Sequence, residues 1–375
     1  MRCMKIVFAI DSFKGSLTSL EAGNAAAEGA KRALPGATCV VRPLADGGEG
    51  TVDALIGGMG GERCEVVVTG PAGRPVTAAY GLLPGGVAVM EMAQAAGITL
   101  VAAAERDPRV TTTRGVGEMI LDAAARGARR FVVGIGGSAT NDGGAGMLQA
   151  LGFRLLDADG AELPPGGAAL ARLAWIEPPC RDLSALQFRI ACDVTNPLCG
   201  ANGASAVYGP QKGATPESVA ELDAALAHFA SVAGGEPDAP GAGAAGGLGY
   251  AFRTFLGAEL APGVELVLQE TRLEDDIRGA DVVVTGEGRL DGQTAMGKAP
   301  VGVARLAKRH GARVIAFAGC LGDGVEAVNG AGIDAYFPIL RRIVTLDEAL
   351  DRTEAAANLS ATAEQAFRLV GDFLV

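Results

Sequence analysis

The chain has 375 residues, 49% hydrophobic and 20% charged, with a formal net charge of −11. This composition indicates a folded protein with one large or two ordinary domains, and the acidic balance argues against nucleic acid or an anionic membrane as a partner. The seven cysteines show no zinc-ligand spacing, so we expect reduced thiols in a cytoplasmic protein. No signal peptide and no membrane span are expected.

Both ends of the chain alternate short apolar runs with stretches of helical periodicity. The strands and helices predicted there are, in order, 5–10, 19–34, 38–43 and 50–59, then 281–285, 300–310, 313–318, 325–330, 335–339 and 354–373. Continuous apolar strands separated by helices are typical of a parallel sheet covered on both faces. The two ends together supply five strands, the number in a flavodoxin-like sheet.

The middle of the chain has a different pattern. It begins with three runs joined by short Gly/Pro turns, which is typical of antiparallel hairpins. The segments predicted there are strands at 65–70, 77–83 and 87–92, a helix at 115–127, strands at 131–133, 153–156 and 188–192, a helix at 217–229 and a Pro/Gly/Ala loop at 233–247.

These patterns predict an α/β fold with two domains. The first is a flavodoxin-like (Rossmann-like) parallel-sheet domain built from both chain ends, 1–62 and 275–375. The second is an inserted α/β domain with a mixed sheet, 63–274, which carries the GGSATNDGG loop.

This glycine-rich polar loop lies between the strand at 131–133 and a helix. Its backbone amides and the helix N-terminus would form a nest for phosphate or carboxylate, and Ser138, Thr140 and Asn141 add hydrogen-bonding groups. Asp142 fits an anion site only if it holds a cation. The alternative is a helix cap in which the glycines permit tight packing.

Polar residues also cluster in loops that follow other predicted strands, or in loops rich in glycine. The candidates are Asp11 and Lys14 in DSFKGS, Asp46 and Glu49 in DGGEGT, Asp193 and Asn196 in CDVTNPL, Gln211 and Lys212 in YGPQKGA, and Glu287, Asp291 and Lys298 in TGEGRLDGQTAMGK. Open α/β sheets bind ligands in loops beyond the carboxyl ends of their strands. Each loop also has a structural alternative, namely a turn, a helix cap or a solvated lysine.

Carboxylates beside lysines and glycine-rich turns indicate phosphoryl transfer. Amides and lysines bind phosphates, carboxylates hold Mg²⁺, and one carboxylate accepts a hydroxyl proton. Hydride transfer predicts GxGxxG after the first strand, and DSFKGS stands there instead. Two alternatives stay open, a nicotinamide-dependent oxidoreductase and a non-catalytic protein that binds a small acid.

The ordered set of motifs resembles the bacterial glycerate kinase family of the glycerate 2-kinase type. The motifs are DSFKGS, LADGGEGT, TGPAGRPV, TTTRGVGE, GIGGSATNDGG, CDVTNPLCG, VYGPQKGA, GAGAAGGLG and TGEGRLDGQT followed by GKAPVGVA. They extend over nearly the whole chain. The resemblance implies that ATP and Mg²⁺ are used to phosphorylate D-glycerate, most often to 2-phosphoglycerate. We expect a monomer or a homodimer.

We carry the following roles to this chain as hypotheses. The nest of Gly136, Gly137, Ser138, Thr140 and Asn141 would bind ATP phosphates or the glycerate carboxylate. Asp193 would be the general base or a Mg²⁺ ligand, with Asp142 as a second candidate ligand. Asp11, Lys14 and Lys212 would be catalytic, and the lysines, with Lys298, would bind anions. Asp46, Glu49, Asn196, Gln211, Glu287 and Asp291 would line the binding site.

Overall fold

The computed structural model describes residues 3–48 and 50–374.

Local sequence signals explain the limits of the first helix, Ser19–Ala33. The first helix begins with a capping box, in which Thr18 and Glu21 each bind the other's backbone amide, and it ends with Lys31 and Arg32. An acidic first turn and a basic last turn both suit the helix dipole.

The described residues form thirteen strands and fourteen α-helices. The strands are β1 Lys5–Ile10, β2 Thr38–Pro43, β3 Glu62–Thr69, β4 Pro75–Leu83, β5 Val87–Glu91, β6 Arg130–Gly134, β7 Arg154–Leu156, β8 Trp175–Glu177, β9 Gln187–Ala191, β10 Glu259–Ala261, β11 Val282–Leu290, β12 Arg313–Leu321 and β13 Ala335–Pro338. The helices are α1 Ser19–Ala33, α2 Thr51–Met59, α3 Ala93–Ala96, α4 Arg114–Ala125, α5 Ala145–Leu151, α6 Ala204–Tyr208, α7 Pro216–Ala233, α8 Ala244–Leu256, α9 Gly263–Glu270, α10 Leu273–Ile277, α11 Ala299–Arg309, α12 Ala327–Gly330, α13 Leu346–Leu350 and α14 Arg352–Leu374. Within the part of the chain described, no helix is long and apolar enough to cross a membrane.

The chain divides into two compact units. Unit 1 comprises the residues up to Asp46, Asp53–Gly60 and the residues from Val264 onward; unit 2 comprises Gly47–Val52 and Gly61–Gly263. This division returns to the first unit at Val264 rather than at residue 275, because Val264 and Leu273 pack in the core of unit 1. The domain limits drawn from the sequence stay a prediction.

Unit 1 is built on a five-stranded parallel sheet in the order β13-β12-β11-β1-β2. Numbered along this unit alone, the order is 5-4-3-1-2, which is the flavodoxin-like order. One face of the sheet packs on α1 and α14, and the other on α10, α11 and α12. Apolar residues on both faces explain why these strands are continuous hydrophobic runs.

Unit 2 contains a six-stranded mixed sheet in the order β10-β9-β6-β5-β4-β3. The β3–β4 and β4–β5 pairs are antiparallel, as the short turns predict, and the remaining pairs are parallel. The predicted fold class, a flavodoxin-like parallel sheet plus a second α/β part with a mixed sheet, is therefore confirmed.

Four details of the chain differ from the prediction. β11 and β12 continue past the predicted ends at 285 and 318, because they hydrogen-bond to each other as far as Leu290 and Leu321. The strand predicted at 153–156 pairs only with β8, outside the main sheet. Apart from α8, the unpredicted elements are β8, β10 and the short helices α3, α6, α9, α10 and α13. Within the predicted loop at 233–247, α8 begins at Ala244, and three left-handed residues, Ala245 to Gly247, follow.

The contact between α1 and α14 depends on a glycine. A Cβ at Gly29 would overlap the carbonyl oxygen of Ser360 and lie 2.9 Å from the amide nitrogen of Glu364. Both of these atoms belong to backbone, which cannot move aside without shifting α14. The two helices therefore approach more closely than any residue with a side chain would allow.

We expect Gly29→Ala to destabilise the protein by about 1–3 kcal/mol through overpacking. This loss outweighs the roughly 1 kcal/mol by which alanine favours a helix over glycine. Thermal and chemical denaturation midpoints measure the effect. Gly36→Ala is the matched control, since a Cβ there meets nothing within 4 Å. A Gly29→Ala midpoint equal to or above that of the unsubstituted chain would contradict the close-approach argument.

Candidate active site

A cavity of about 350 Å³ lies in unit 1 at the carboxyl ends of β1 and β11. Its lining residues are Asp11, Ser12, Lys14, Asp46, Glu287, Gly288, Arg289, Asp291 and Lys298. Six of these were proposed from the sequence as site residues. β1 lies between β2 and β11 in the sheet, and strand order reverses there, which is where flavodoxin-like sheets bind their ligands.

Asp11 is the most enclosed carboxyl group of this cavity. It follows β1 directly, and its amide donates to the carbonyl of Gly286 at 2.8 Å, which continues the pairing of β1 with β11. The amide of Ser12 donates to Asp11 Oδ1 at 2.6 Å. The side chain is therefore fixed by backbone contacts at the end of the strand.

The electrostatic surroundings of Asp11 oppose its ionisation. Burial, together with the nearby carboxylates of Asp46 and Glu287, raises its pKa from 3.8 to about 7, although the Ser12 amide and Lys14 act in the opposite direction. A carboxyl group whose pKa is raised by burial and by other carboxylates is typical of a functional site. A bound cation would stabilise its charged form.

The last part of β11 and the turn after it supply two further carboxylates. Thr294 Oγ1 donates to Glu287 Oε1 at 2.6 Å. The amides of Gln293 and Thr294 donate to Asp291 Oδ1 at 3.0 and 3.2 Å. Burial raises the pKa of Glu287, and the hydrogen bond from Thr294 and the charge of Lys298 counteract this.

Three cationic side chains line the same cavity. Lys14 is exposed; Lys298 Nζ lies 3.8 Å from Asp291 Oδ1, and Arg289 Nε lies 3.5 Å from Asp291 Oδ2. Arg289 was not proposed from the sequence, although it lies between Glu287 and Asp291 in the same motif. Residues two apart on a strand lie on the same face, so the position of Arg289 relative to Glu287 could have identified it as a site residue.

The residues present fit a nucleotide with its metal ion better than a metal ion alone. Within residues 3–48 and 50–374, no three His, Cys, Asp or Glu side chains are arranged to hold a metal by themselves. Mg²⁺ in kinase sites is usually bound by one or two carboxylates together with substrate phosphates and water. Asp11, Asp46 and Glu287 supply such carboxylates, and Lys14, Arg289 and Lys298 supply partners for phosphate oxygens.

The GGSATNDGG loop lies in unit 2, between β6 and α5. Gly136 and Gly137 are exposed, whereas Ser138, Thr140 and Asn141 are buried. Backbone contacts hold the loop from within: the amide of Ile98 donates to the carbonyl of Gly137, and the amide of Ala139 to that of Ala96, each at 2.9 Å. Only the Gly136–Gly137 tip is open to a ligand within this loop.

Asp142 has the contacts of a helix cap. Its Oδ2 accepts from the amide and hydroxyl of Thr113 at 2.8 and 2.9 Å and from the amide of Gly146 at 3.2 Å, and its Oδ1 accepts from the amide of Gly144 at 3.1 Å. The side chain is fully buried, and its burial raises its pKa against these four hydrogen bonds. The amides at the start of α5, which the nest hypothesis would offer to an anion, are thus occupied by Asp142.

The other proposed residues of unit 2 fall into exposed and enclosed groups. Asp193, the second residue after β9, is exposed, and its Oδ1 accepts from the amide of Gly263 at 3.0 Å. Gln211 is exposed. The side chain of Asn196 is half-buried and fixed by two hydrogen bonds. It accepts from the hydroxyl of Tyr208 at 2.6 Å and donates to the carbonyl of Asn202 at 2.9 Å.

Lys212 is buried rather than open to a ligand, so the direct anion-binding role expected for it does not follow from its position. Glu49 lies outside the described residues.

The comparisons with known proteins identify the family of the chain. The model of the glycerate kinase family matches residues 6–371. The chain belongs to the glycerate kinase family.

Its similarity to individual family members extends over complete chains. It is 49% identical to the glycerate kinase of Bacillus subtilis (strain 168), over 96% of each chain. It is 48% identical to the glycerate 2-kinase of Escherichia coli (strain K12), over 98% of this chain and all of the relative. A crystal structure of a protein assigned as glycerate kinase 2 from Salmonella typhimurium LT2 superposes with a TM-score of 0.91 and 46% identity, over 99% of each chain. Glycerate kinases are phosphotransferases, which is the class of chemistry that the motifs indicate.

If Asp142 caps α5, Asp142→Asn should lower the free energy of unfolding by about 2–4 kcal/mol. The asparagine amide group would face at least one of the four donors, leaving a buried group without an acceptor. Chemical denaturation in the absence of Mg²⁺ measures this, and Asp182→Asn is the control, since Asp182 is exposed and fully outside the core. Unchanged stability combined with weaker Mg²⁺ binding would instead support the metal-ligand hypothesis.

The raised pKa of Asp11 predicts a pH-dependent stability. Because the folded chain retains this proton up to about pH 7, whereas the unfolded chain releases it near 3.8, ionisation of Asp11 costs stability as pH rises through this range. Asp11→Asn should therefore be more stable than the unsubstituted chain at pH 8 by roughly 2–4 kcal/mol, with no advantage at pH 4. Thermal unfolding across this pH range tests it; a constant difference would contradict it.

Proposed function

We propose that the chain transfers the γ-phosphoryl group of ATP to D-glycerate, with Mg²⁺, and that 2-phosphoglycerate is the product. The observation that carries this proposal is the cavity at the ends of β1 and β11, where four carboxyl groups face three cationic side chains. Membership of the glycerate kinase family and the 48% identity to a glycerate 2-kinase support the choice of substrate and of the C2 hydroxyl.

Asp11, Asp46 and Glu287 would hold Mg²⁺, which neutralises charge on the phosphates when bound. Lys14, Arg289 and Lys298 would bind phosphate oxygens through charge-assisted hydrogen bonds. Asp291 supports this arrangement, since it lies beside both Arg289 and Lys298.

In the transfer itself, the C2 hydroxyl oxygen of glycerate forms a bond to the γ-phosphorus, and the bond from that phosphorus to the bridging oxygen of ADP breaks. A carboxylate accepts the hydroxyl proton. We assign this role to Asp193, an exposed carboxylate at the end of β9 that the Gly263 amide orients. The exposed Gly136–Gly137 tip would bind an anionic group of a substrate.

The direct experiment measures ADP release with Mg-ATP and D-glycerate and identifies the phosphoester by NMR. Tartronate and hydroxypyruvate serve as competing acids. A cofactor absorbance change with glycerate would support the nicotinamide alternative, and binding without ADP release would support the non-catalytic one. A phosphoester at C3 would leave the kinase activity in place and contradict the C2 assignment. The cytoplasmic location and the monomeric or homodimeric state stay predictions.

Lys14→Ala should raise the KM for ATP about tenfold, since a charge-assisted hydrogen bond to phosphate is lost. We expect the thermal midpoint to stay unchanged, because Lys14 is exposed. Lys31→Ala, at an exposed lysine in the last turn of α1, is the matched control and should leave both quantities unchanged. A lower thermal midpoint with an unchanged KM for ATP would remove Lys14 from the site.

A further inference from the structure

A fully enclosed lysine lies beneath the GGSATNDGG loop of unit 2. Lys212 is 2% exposed, and its Nζ donates to the carbonyl oxygen of Thr140 at 2.6 Å. Within the described part of the chain, no carboxylate forms an ion pair with it. The charge of Asp142 acts on it from nearby, but both oxygens of Asp142 already accept hydrogen bonds. Burying an ammonium group with so little compensation is unfavourable for folding.

Two further buried polar atoms lie next to this contact. Thr140 Oγ1 and Asn141 Oδ1 have no hydrogen-bond partner among the described residues. The amide group of Asn141 is in contrast satisfied, because it donates to Ser205 Oγ at 2.9 Å. Buried polar atoms without partners are few in native proteins and need a specific explanation. Here they belong to Thr140, whose carbonyl group the lysine holds, and to the next residue.

The contact lies a short distance along the chain from the exposed Gly136–Gly137 tip. Three carbonyl groups between Gly137 and Thr140 are held from the interior: that of Gly137 by the amide of Ile98, that of Ala139 by the hydroxyl of Thr111, and that of Thr140 by Lys212. The first two donors are neutral and Lys212 is ionisable. These three contacts fix the path of the loop behind its tip.

We propose that Lys212 is a positioning residue, which holds the Thr140 carbonyl and so sets the conformation in which the Gly136–Gly137 tip binds a carboxylate or phosphate group. The inference rests on the proposed function, because it assigns the bound group to glycerate or to ATP. Lys212 touches neither substrate in this proposal. It acts through the loop, and it is kept although an apolar side chain would suit its surroundings better.

Lys212→Met tests the proposal, because methionine has a similar length and removes both the donor and the buried charge. We expect a folded enzyme with a thermal midpoint at pH 7 equal to or above that of the unsubstituted chain. We also expect a tenfold or greater rise in KM for one substrate and a smaller change in kcat. A rise for D-glycerate assigns the tip to a carboxylate, and a rise for ATP assigns it to phosphate.

Lys212→Gln keeps a neutral donor, so its KM should lie between that of Lys212→Met and that of the unsubstituted chain. Lys31→Met is the control for an exposed lysine. Unchanged KM and kcat in folded Lys212→Met overturn the inference. If Lys212→Met does not fold, Lys212→Leu takes its place as the variant without a donor, and failure of both to fold means that Lys212 serves the fold alone. Absence of ADP release by the unsubstituted chain with D-glycerate would instead overturn the proposed function itself, and the inference with it.

Discussion

The parallel pairing of β1 with both β2 and β11 is the constraint on which the candidate site depends. Residues far apart in the chain reach one cavity because the carboxyl ends of these three strands lie side by side. Asp11 follows β1, Asp46 follows β2, and Glu287 lies near the end of β11. Burial is the main cause of the raised pKa of Asp11, and the proximity of these carboxyl groups adds to it. The same proximity gives a cavity that suits a cation with phosphates.

Each unit contains an ionisable group that disfavours its own folded state. Burial raises the pKa of Asp11 to about 7 and lowers that of Lys212 to about 7. In both cases desolvation is the main cause. The charge of Asp142 compensates it only in part at Lys212, whereas the carboxylates of Asp46 and Glu287 add to it at Asp11. Proteins retain such groups at sites where ligand binding or catalysis requires them, and the stability lost there is supplied by apolar packing elsewhere. Here the packing comes from the cores on both faces of the unit 1 sheet and from the core of unit 2.

Periodicity predicted the main strands and helices well, because both faces of the unit 1 sheet are apolar. It failed where distant contacts decide the structure. β11 continues through Glu287 and Arg289, residues that β12 holds in register, although charge and glycine disfavour strands. The buried position of Lys212 was unpredictable, since a loop lysine is ordinarily solvated. Asp142 could be recognised locally as a possible cap, but its partner Thr113 lies 29 residues earlier in the chain. The motifs identified six residues of the cavity. They could not show that Lys14 and Lys298 line it whereas Lys212 is buried elsewhere.

The sheet order also bears on how the chain acquires its structure during synthesis. β1 and β2 leave the ribosome first, but β11, the other neighbour of β1, follows only after the whole of unit 2. Nearly all of unit 2 is one continuous segment, so its sheet has all its strands before β11 exists. Until then, the apolar edge of β1 has no partner on that side. Long-range strand pairing of this kind is slow and leaves an edge open to other chains. Nascent unit 1 is accordingly the part of the molecule that most needs protection from aggregation.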